Sequence, residues 1–228
     1  SLTVVCSPGA LPVPFRAVLF DLDGTLLDSL ADLADSMNEA LAPMGQPPHP
    51  LEAYRYFVGD GVEFLARRAL PANHRDEETV KRCIAAMRDV YSRRWKAKTL
   101  PYPGILELLQ ALQTRSLRLA VLSNKPDDFT RKMTAALLPN TRFDLVLGAR
   151  ANVPKKPDPA GALEIAAALE IPPSDFIYLG DTGTDMKTAV SAGMFPVGVL
   201  WGFRPAEELR ESGAQRLLAA PLDLLSSL

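Results

Sequence analysis

Short apolar runs without polar alternation set the rhythm of this chain. Ala17–Phe20 is wholly apolar and stops abruptly at Asp21, and residues 117–122, 143–147, 176–179 and 196–200 repeat the theme in the second half. Runs of this length and composition suit strands covered on both faces, as in a parallel sheet. Between them lie segments of helical character: residues 104–113, where Ile105, Leu108, Leu109 and Leu112 share one face, and residues 126–138, 161–169 and 185–192. Strand and helix alternating in this order predict a doubly wound, Rossmann-like parallel α/β sheet.

Residues 29–98 break that rhythm and contain no strand pattern. Three helical stripes replace it: Leu30, Leu33, Ala34, Met37 and Leu41; Val62, Leu65, Ala66 and Ala69; and Val80, Ile84, Met87 and Tyr91. Ser29 with Asp32 predicts a capping box at the first of these helices. Pro43, Pro47, Pro48, Pro50 and Pro71 separate the stripes, and Pro101 and Pro103 mark the return to the sheet pattern. The expected organisation is a core from residues 1–28 and 101–228, carrying an α-helical cap at 29–100 on two hinges.

Composition acts mainly by exclusion. With 228 residues, 47% hydrophobic and 23% charged, the chain can bury a sizeable core in one or two domains, and is neither disordered nor fibrous. Twenty-five basic against 27 acidic residues leave no basic field, so nucleic acid is not an expected partner. No apolar run reaches the roughly 18 residues needed to cross a bilayer. Residues 1–14 carry no basic residue, so they lack a secretory signature, although a chain beginning at Ser1 would not reveal a trimmed leader. Cys6 and Cys83 stand in unrelated contexts, which predicts neither a disulfide framework nor a zinc site and fits a reducing cytoplasm. His49 and His74 have no metal-site spacing either.

The candidate chemistry lies where the apolar runs end. Asp21 and Asp23 follow the first run directly, with Gly24 permitting a sharp turn, and Asp181 follows the run at 176–179 with Asp185 four residues later. The carboxyl ends of parallel strands form the edge where open α/β sheets bind ligands. Each pair alone is equally readable as an Asx turn or a helix cap. Together they bring four acids to one edge, where two like charges 4 Å apart cost about 4 kcal/mol at an effective dielectric near 20. A hard divalent cation, Mg2+ in the first instance, would relieve that repulsion, and a protonated member would be a general acid. Ser123-Asn124-Lys125 ends another run before a helix, a setting that holds an anion or merely caps the helix. Lys155-Lys156-Pro157-Asp158-Pro159 offers a lysine stiffened by prolines, either a phosphoryl ligand or a solvated pair.

Taken in order, these segments resemble the haloacid dehalogenase superfamily, and within it the small-molecule phosphatases. Asp21-Leu22-Asp23-Gly24-Thr25-Leu26-Leu27-Asp28-Ser29 matches the family's first motif, Ser123-Asn124-Lys125 the second, Lys156 the third and Gly180-Asp181-x-x-x-Asp185 the fourth. The helical insertion is similar to the family's C1 cap. Val58-Gly59-Asp60-Gly61-Val62, Arg68-Ala69-Leu70, Ala192-Gly193-Met194 and Trp201-Gly202-Phe203 resemble the phosphoglycolate phosphatase branch. The first 14 residues precede the point where family members normally begin.

The resemblance implies an Mg2+-dependent phosphatase acting on a small phosphorylated metabolite, 2-phosphoglycolate or a similar phosphomonoester, through an aspartyl-phosphate. It implies Asp21 as nucleophile and Asp23 as general acid and base. The metal would be held by Asp21, the Asp23 carbonyl and Asp181, with Asp185 acting through water or on the ion's shell. Ser123, the Asn124 backbone and Lys156 would hold the phosphoryl group, and Lys156 is preferred to Lys155 on the family's Lys-Pro spacing. Specificity is expected from the cap, with Gly59, Asp60 and Gly61 above the site and Arg67 or Arg68 as partners for a substrate carboxylate. Arg93, Arg94 and Lys96 are further candidates for that partner. Tyr91 and Trp95 are expected as packing residues, and Trp201 lies near the active edge. A β-phosphoglucomutase-like phosphomutase and a non-catalytic regulator on the same fold are the alternatives. Dehalogenation is disfavoured by Asp23 and the Asp181/Asp185 pair. The sequence does not specify an oligomeric state.

Overall fold

The computed structural model describes residues 15–228. Its strands are β1 (Ala17–Phe20), β2 (Leu27–Asp28), β3 (Leu100–Pro101), β4 (Arg118–Pro126), β5 (Leu145–Ala149), β6 (Phe176–Gly180), β7 (Phe195–Val199) and β8 (Arg216–Leu218). Its α-helices are α1 (Leu30–Leu41), α2 (Leu51–Phe57), α3 (Val62–Ala69), α4 (Glu77–Arg94), α5 (Ile105–Thr114), α6 (Asp127–Leu137), α7 (Ala160–Leu169), α8 (Gly183–Ala192) and α9 (Ala206–Glu211). Six strands form one parallel sheet in the order β5-β4-β1-β6-β7-β8. This is the doubly wound α/β architecture that the apolar runs predict, with a sixth strand, β8, that no apolar run announced.

The two-residue period of β1 divides the core. Val18 and Phe20 face one layer, built with α5 and with the helices inserted after β1. Ala17 and Leu19 face the other, against Ala162, Ile165 and Ala166 of α7 and Ala189 of α8. All four β1 side chains are fully buried, so a Leu19→Ala change falls in the range of about 2–5 kcal/mol typical of core truncation.

Helices α1–α4 lie between β2 and β3, which pair antiparallel with Leu27 opposite Pro101 and Asp28 opposite Leu100. This short ribbon is where the chain leaves the sheet and returns. The capping box expected at Ser29 and Asp32 does not form. Ser29 Oγ instead donates to Asp23 Oδ1 at 2.6 Å, and the buried Asp32 carboxylate accepts from Lys98 N, Thr99 N and Thr99 Oγ1 at 2.7–3.1 Å. The segment leading into β3 offers Asp32 three donors, and a buried carboxylate is held most strongly where such donors converge. A side-chain cap of the expected kind occurs at α4, where Asp76 accepts from Thr79 N.

Cys83 is buried beside Met37, with its sulfur 3.6 Å from the Met37 sulfur, and burial pushes its thiol up to about 11. Cys6 and the expectations for residues 1–14 lie outside the described residues. Among the described residues no helix is long and apolar enough to cross a membrane.

Candidate active site

Parallel register brings the acids together. Phe20 pairs with Leu179 across β1 and β6, and Asp21 N donates to Leu179 O, so Asp21 and Asp181 emerge side by side from adjacent strands. Two glycines let the surrounding loops close on Asp181. At Gly24, where φ is +88°, a Cβ would lie 2.1 Å from Asp181 Oδ2, and at Gly202 it would lie 2.2 Å from Asp181 Cβ. No side chain fits at either position without moving Asp181.

Asp181 accepts from Thr25 Oγ1 at 3.2 Å and Phe203 N at 3.0 Å. Asp185 forms a reciprocal capping box with Thr182 at the start of α8, which turns its other oxygen toward the site. That oxygen accepts from Tyr178 OH at 3.1 Å and from Lys156 Nζ at 2.8 Å. The same ammonium donates to Asp21 Oδ1 and to the Leu122 carbonyl, each at 3.0 Å, so its three donors are all used. Lys156 is 6% exposed, whereas its neighbour Lys155 faces solvent.

One carboxylate oxygen from each of Asp21, Asp181 and Asp185 lies within 4.8 Å of the other two. Three carboxylates against one ammonium leave a formal charge of −2 in a buried space. Burial, reinforced by Asp185 and opposed by Lys156, holds Asp21 well above the usual carboxylate range. Burial and then Asp185 push Asp181 up to about 6. An all-oxygen donor set short of two positive charges suits a hard divalent cation.

Asp23 is aimed by two partners, Ser29 Oγ at 2.6 Å and Lys125 Nζ at 3.1 Å. Ser123 is buried, with its Oγ accepting from Lys125 N at 3.0 Å. The Asn124 amide is committed elsewhere: it exchanges hydrogen bonds with the Lys156 backbone at 2.9 and 3.0 Å and donates to the Gly59 carbonyl at 3.3 Å. It thereby fixes the lysine loop and touches the helical insertion. A cavity of about 710 Å3, its open mouth included, lies between the sheet edge and α1, α3, α4 and α6; Asp21, Asp23, Ser123, Asn124 and Lys125 line its floor.

Asp21, Asp23, Ser123, Asn124, Lys156, Asp181 and Asp185 therefore share one site. Gly59 and Gly61 line the cavity with φ of +125° and +97°. Asp60, between them, turns away to Thr184 Oγ1 at 2.6 Å and Arg68 at 2.7 Å. Neither Arg67 nor Arg68 lines the cavity. Arg67 bridges Glu63 and Glu77 on the outer face, and Arg68 is spent on Asp60 and the Phe57 carbonyl. Arg93 and Arg94 pair with Asp89 and Glu39, and Lys96 lies over the Trp95 ring. Trp95 is buried as a packing residue, and Trp201 anchors a site loop by donating to the Thr25 carbonyl at 2.9 Å.

Two residues named in the sequence take on parts not assigned to them there, and a third, Arg204, was not singled out. Lys125 is buried, with its charge set between Asp23 and the Tyr91 hydroxyl; burial pushes its ammonium below the usual lysine value, with Asp23 opposing. Tyr91 is thus more than a packing residue. Arg204 reaches from the loop after β7 to the Arg55, Tyr56 and Val58 carbonyls at 2.8–3.4 Å, closing the open end of α2. The signal for Lys125 was its place at the end of a buried apolar run; Arg204 had none.

The family model for haloacid dehalogenase-like hydrolases matches residues 18–199. The phosphoglycolate phosphatase of Pseudomonas putida is 34% identical over 86% of this chain and 72% of its own length. That of Psychrobacter arcticus is 32% identical over 86% and 88% respectively. A crystal structure from Lactobacillus delbrueckii subsp. bulgaricus superposes with a TM-score of 0.88 at 30% identity, covering 95% of this chain and 99% of that one. A predicted phosphoglycolate phosphatase from Haemophilus somnus gives 0.86 at 28% identity over 93% and 97%. With its carboxylates at the carboxyl edge of a parallel sheet and the family match running from β1 to β7, this chain belongs to the haloacid dehalogenase-like hydrolases.

Proposed function

We propose that the chain is an Mg2+-dependent phosphatase that hydrolyses a small phosphomonoester, 2-phosphoglycolate or a close analogue, through an aspartyl-phosphate on Asp21. The observation that carries this reading is the buried cluster of Asp21, Asp181, Asp185 and Lys156, two positive charges short of neutrality, with Asp21 on the floor of a cavity. The names of the relatives supply the substrate.

Asp21 attacks phosphorus as the ester bond breaks, and Asp23, held by Ser29 and Lys125, gives its proton to the departing alcohol oxygen. Asp23 then takes a proton from the water that cleaves the aspartyl-phosphate, which returns both carboxylates to their starting state and releases inorganic phosphate. Ser123 and Lys156 bind phosphoryl oxygens, the positioning on which phosphoryl transfer chiefly depends. Asp21, Asp181 and the Asp23 carbonyl would hold Mg2+, with Asp185 steadying the arrangement through Lys156. When bound, the ion offsets repulsion between an anionic nucleophile and an anionic substrate.

Residues 29–100 act as a cap that closes over the substrate and excludes water, hinged on the β2–β3 ribbon. A buried, unpaired Cys83 fits a reducing, cytoplasmic setting. Phosphate release from a panel of phosphorylated metabolites, with and without Mg2+, tests the reading. Release that requires Mg2+ and disappears in Asp21→Asn supports it, and no release from any ester overturns it.

A further inference from the structure

If Arg67 and Arg68 are committed elsewhere, a carboxylated substrate needs another cation, and the cavity supplies one. Lys125 stands one residue before the end of β4, with its side chain 4% exposed. Its ammonium stands 3.1 Å from Asp23 Oδ2 and donates to the Tyr91 hydroxyl at 2.5 Å; the Tyr91 ring centre lies 4.4 Å away. Tyr91 directs its own hydrogen to the Met133 sulfur. An ammonium has three donors, and among the described residues the third on Lys125 meets no acceptor. The other cations nearby differ. Lys156 is saturated, and Arg88 is half exposed and paired with Asp128. Apart from the polar floor, Arg88 and Tyr91, the cavity wall is mostly apolar, with Leu33, Val62, Leu65, Ile84, Met87 and Phe129 facing it.

Position decides what that third donor can reach. An alcohol oxygen that receives its proton from Asp23 must lie within about 3 Å of that carboxylate. The Lys125 ammonium, itself hydrogen-bonded to Asp23, is then no more than about 6 Å from the same oxygen. A carboxylate on the carbon that bears the ester oxygen places its own oxygens about 3 Å from it, within reach of Lys125.

Resting on the phosphatase reading above, we propose that Lys125 is the specificity residue of this enzyme, binding a substrate carboxylate attached to the carbon that carries the ester oxygen. The substrate class is then the small 2-phosphooxy carboxylates. Sugar phosphates are disfavoured because their hydroxyls would be buried against six apolar side chains without partners. Tyr91 holds the ammonium from the cap side, so the carboxylate site is complete only when α4 lies over the core.

The test compares kcat and KM with Mg2+ for 2-phosphoglycolate, for ethyl phosphate, which has the same carbon count without the carboxylate, and for glucose 6-phosphate. Wild type should prefer 2-phosphoglycolate over ethyl phosphate by about ten- to hundredfold in kcat/KM, the range of a charged hydrogen bond, and should process the sugar ester least well. Lys125→Met should slow both small esters, because Asp23 loses a partner, and should also bring the first two within about threefold of each other in kcat/KM, with the extra loss on 2-phosphoglycolate appearing mostly in KM. Tyr91→Phe should lower the same ratio severalfold, and it carries the test should Lys125→Met not fold. Equal losses on both small esters would show that Lys125 serves Asp23 alone and would overturn the proposal. A wild type without preference between them would overturn it too, while leaving the phosphatase reading intact. Absence of phosphate release from every ester would remove that reading and the proposal with it.

Discussion

Asp181 and Asp60 are acids withdrawn from water on either side of the start of α8, and the fold treats them in opposite ways. Burial alone would raise Asp60, but the Thr184 hydroxyl and the Arg68 guanidinium outweigh it and hold the carboxyl below its ordinary value. Asp181 also accepts two hydrogen bonds, from Thr25 and Phe203, yet burial and the neighbouring Asp185 push it up to about 6. The difference lies in depth of burial and in the neighbours: Asp181 is fully buried beside the like charge of Asp185, whereas Asp60 is part-exposed and takes hydrogen bonds from Thr184 and a cationic Arg68. Asp60 is paired within the protein and fastens the insertion to the core. The Asp181 cluster is left with surplus negative charge, the condition of a site that binds something positive.

Removing each acid should separate these roles most sharply. Asp21→Asn should lower phosphate release by at least about 10^3-fold, because the nucleophile itself is lost. Asp60→Asn should keep kcat within a few-fold and act mainly on KM, since it touches closure of the insertion and not the reacting atoms; a kcat loss as large as that of Asp21→Asn would collapse the distinction.

Glycine substitutions sharpen the same contrast in stability. Gly24→Ala drives a methyl into the Asp181 carboxylate from a backbone with φ of +88°, and should cost about 3 kcal/mol or more in urea unfolding. Gly45→Ala shares a positive φ of +70° but meets nothing within 4 Å, so only the backbone penalty of about 1 kcal/mol remains.

The two acids also predict opposite pH dependence. Asp181 carries a folded value of about 6 against 3.8 ordinarily, so without a cation the folded state binds the extra proton between those values. Its contribution to stability therefore falls as pH rises through about 4 to 6, and Mg2+ should raise the melting temperature at pH 7.5 more than at pH 4.5. A melting temperature indifferent to Mg2+ at both would argue against the cation site. Asp60 runs the other way, because a depressed carboxyl stabilises above its ordinary value and loses that contribution as pH falls below about 4. Asp60→Asn should lower stability by about 1–2 kcal/mol at neutral pH, and the gap from wild type should narrow in acid.

The sheet and the acidic site were legible because both follow from a one-dimensional pattern. A short unalternated apolar run bounded by turn residues suits a doubly covered strand, and parallel strands end at a common edge, so Asp21 and Asp181 had to meet once their strands were adjacent. The sequence by itself thus determined the alternating α/β core, the helical insertion and the acids that share the edge. It did not determine partner choice for long or polar side chains. Ser29 and Asp32 had the spacing of a cap, but the segment leading into β3 offered Asp32 three donors and the box was forgone. Arg67 and Arg68 had the charge to bind a substrate, but helix packing turned them to Glu63, Glu77 and Asp60. The tertiary structure buries Lys156, the lysine favoured by the Lys-Pro spacing, against Asp21 and Asp185, and it alone could reveal Lys125 beneath Tyr91 or bring Arg204 onto the end of α2. A flexible side chain finds its partner through desolvation and the charges opposite it, and those are set by residues distant in the chain.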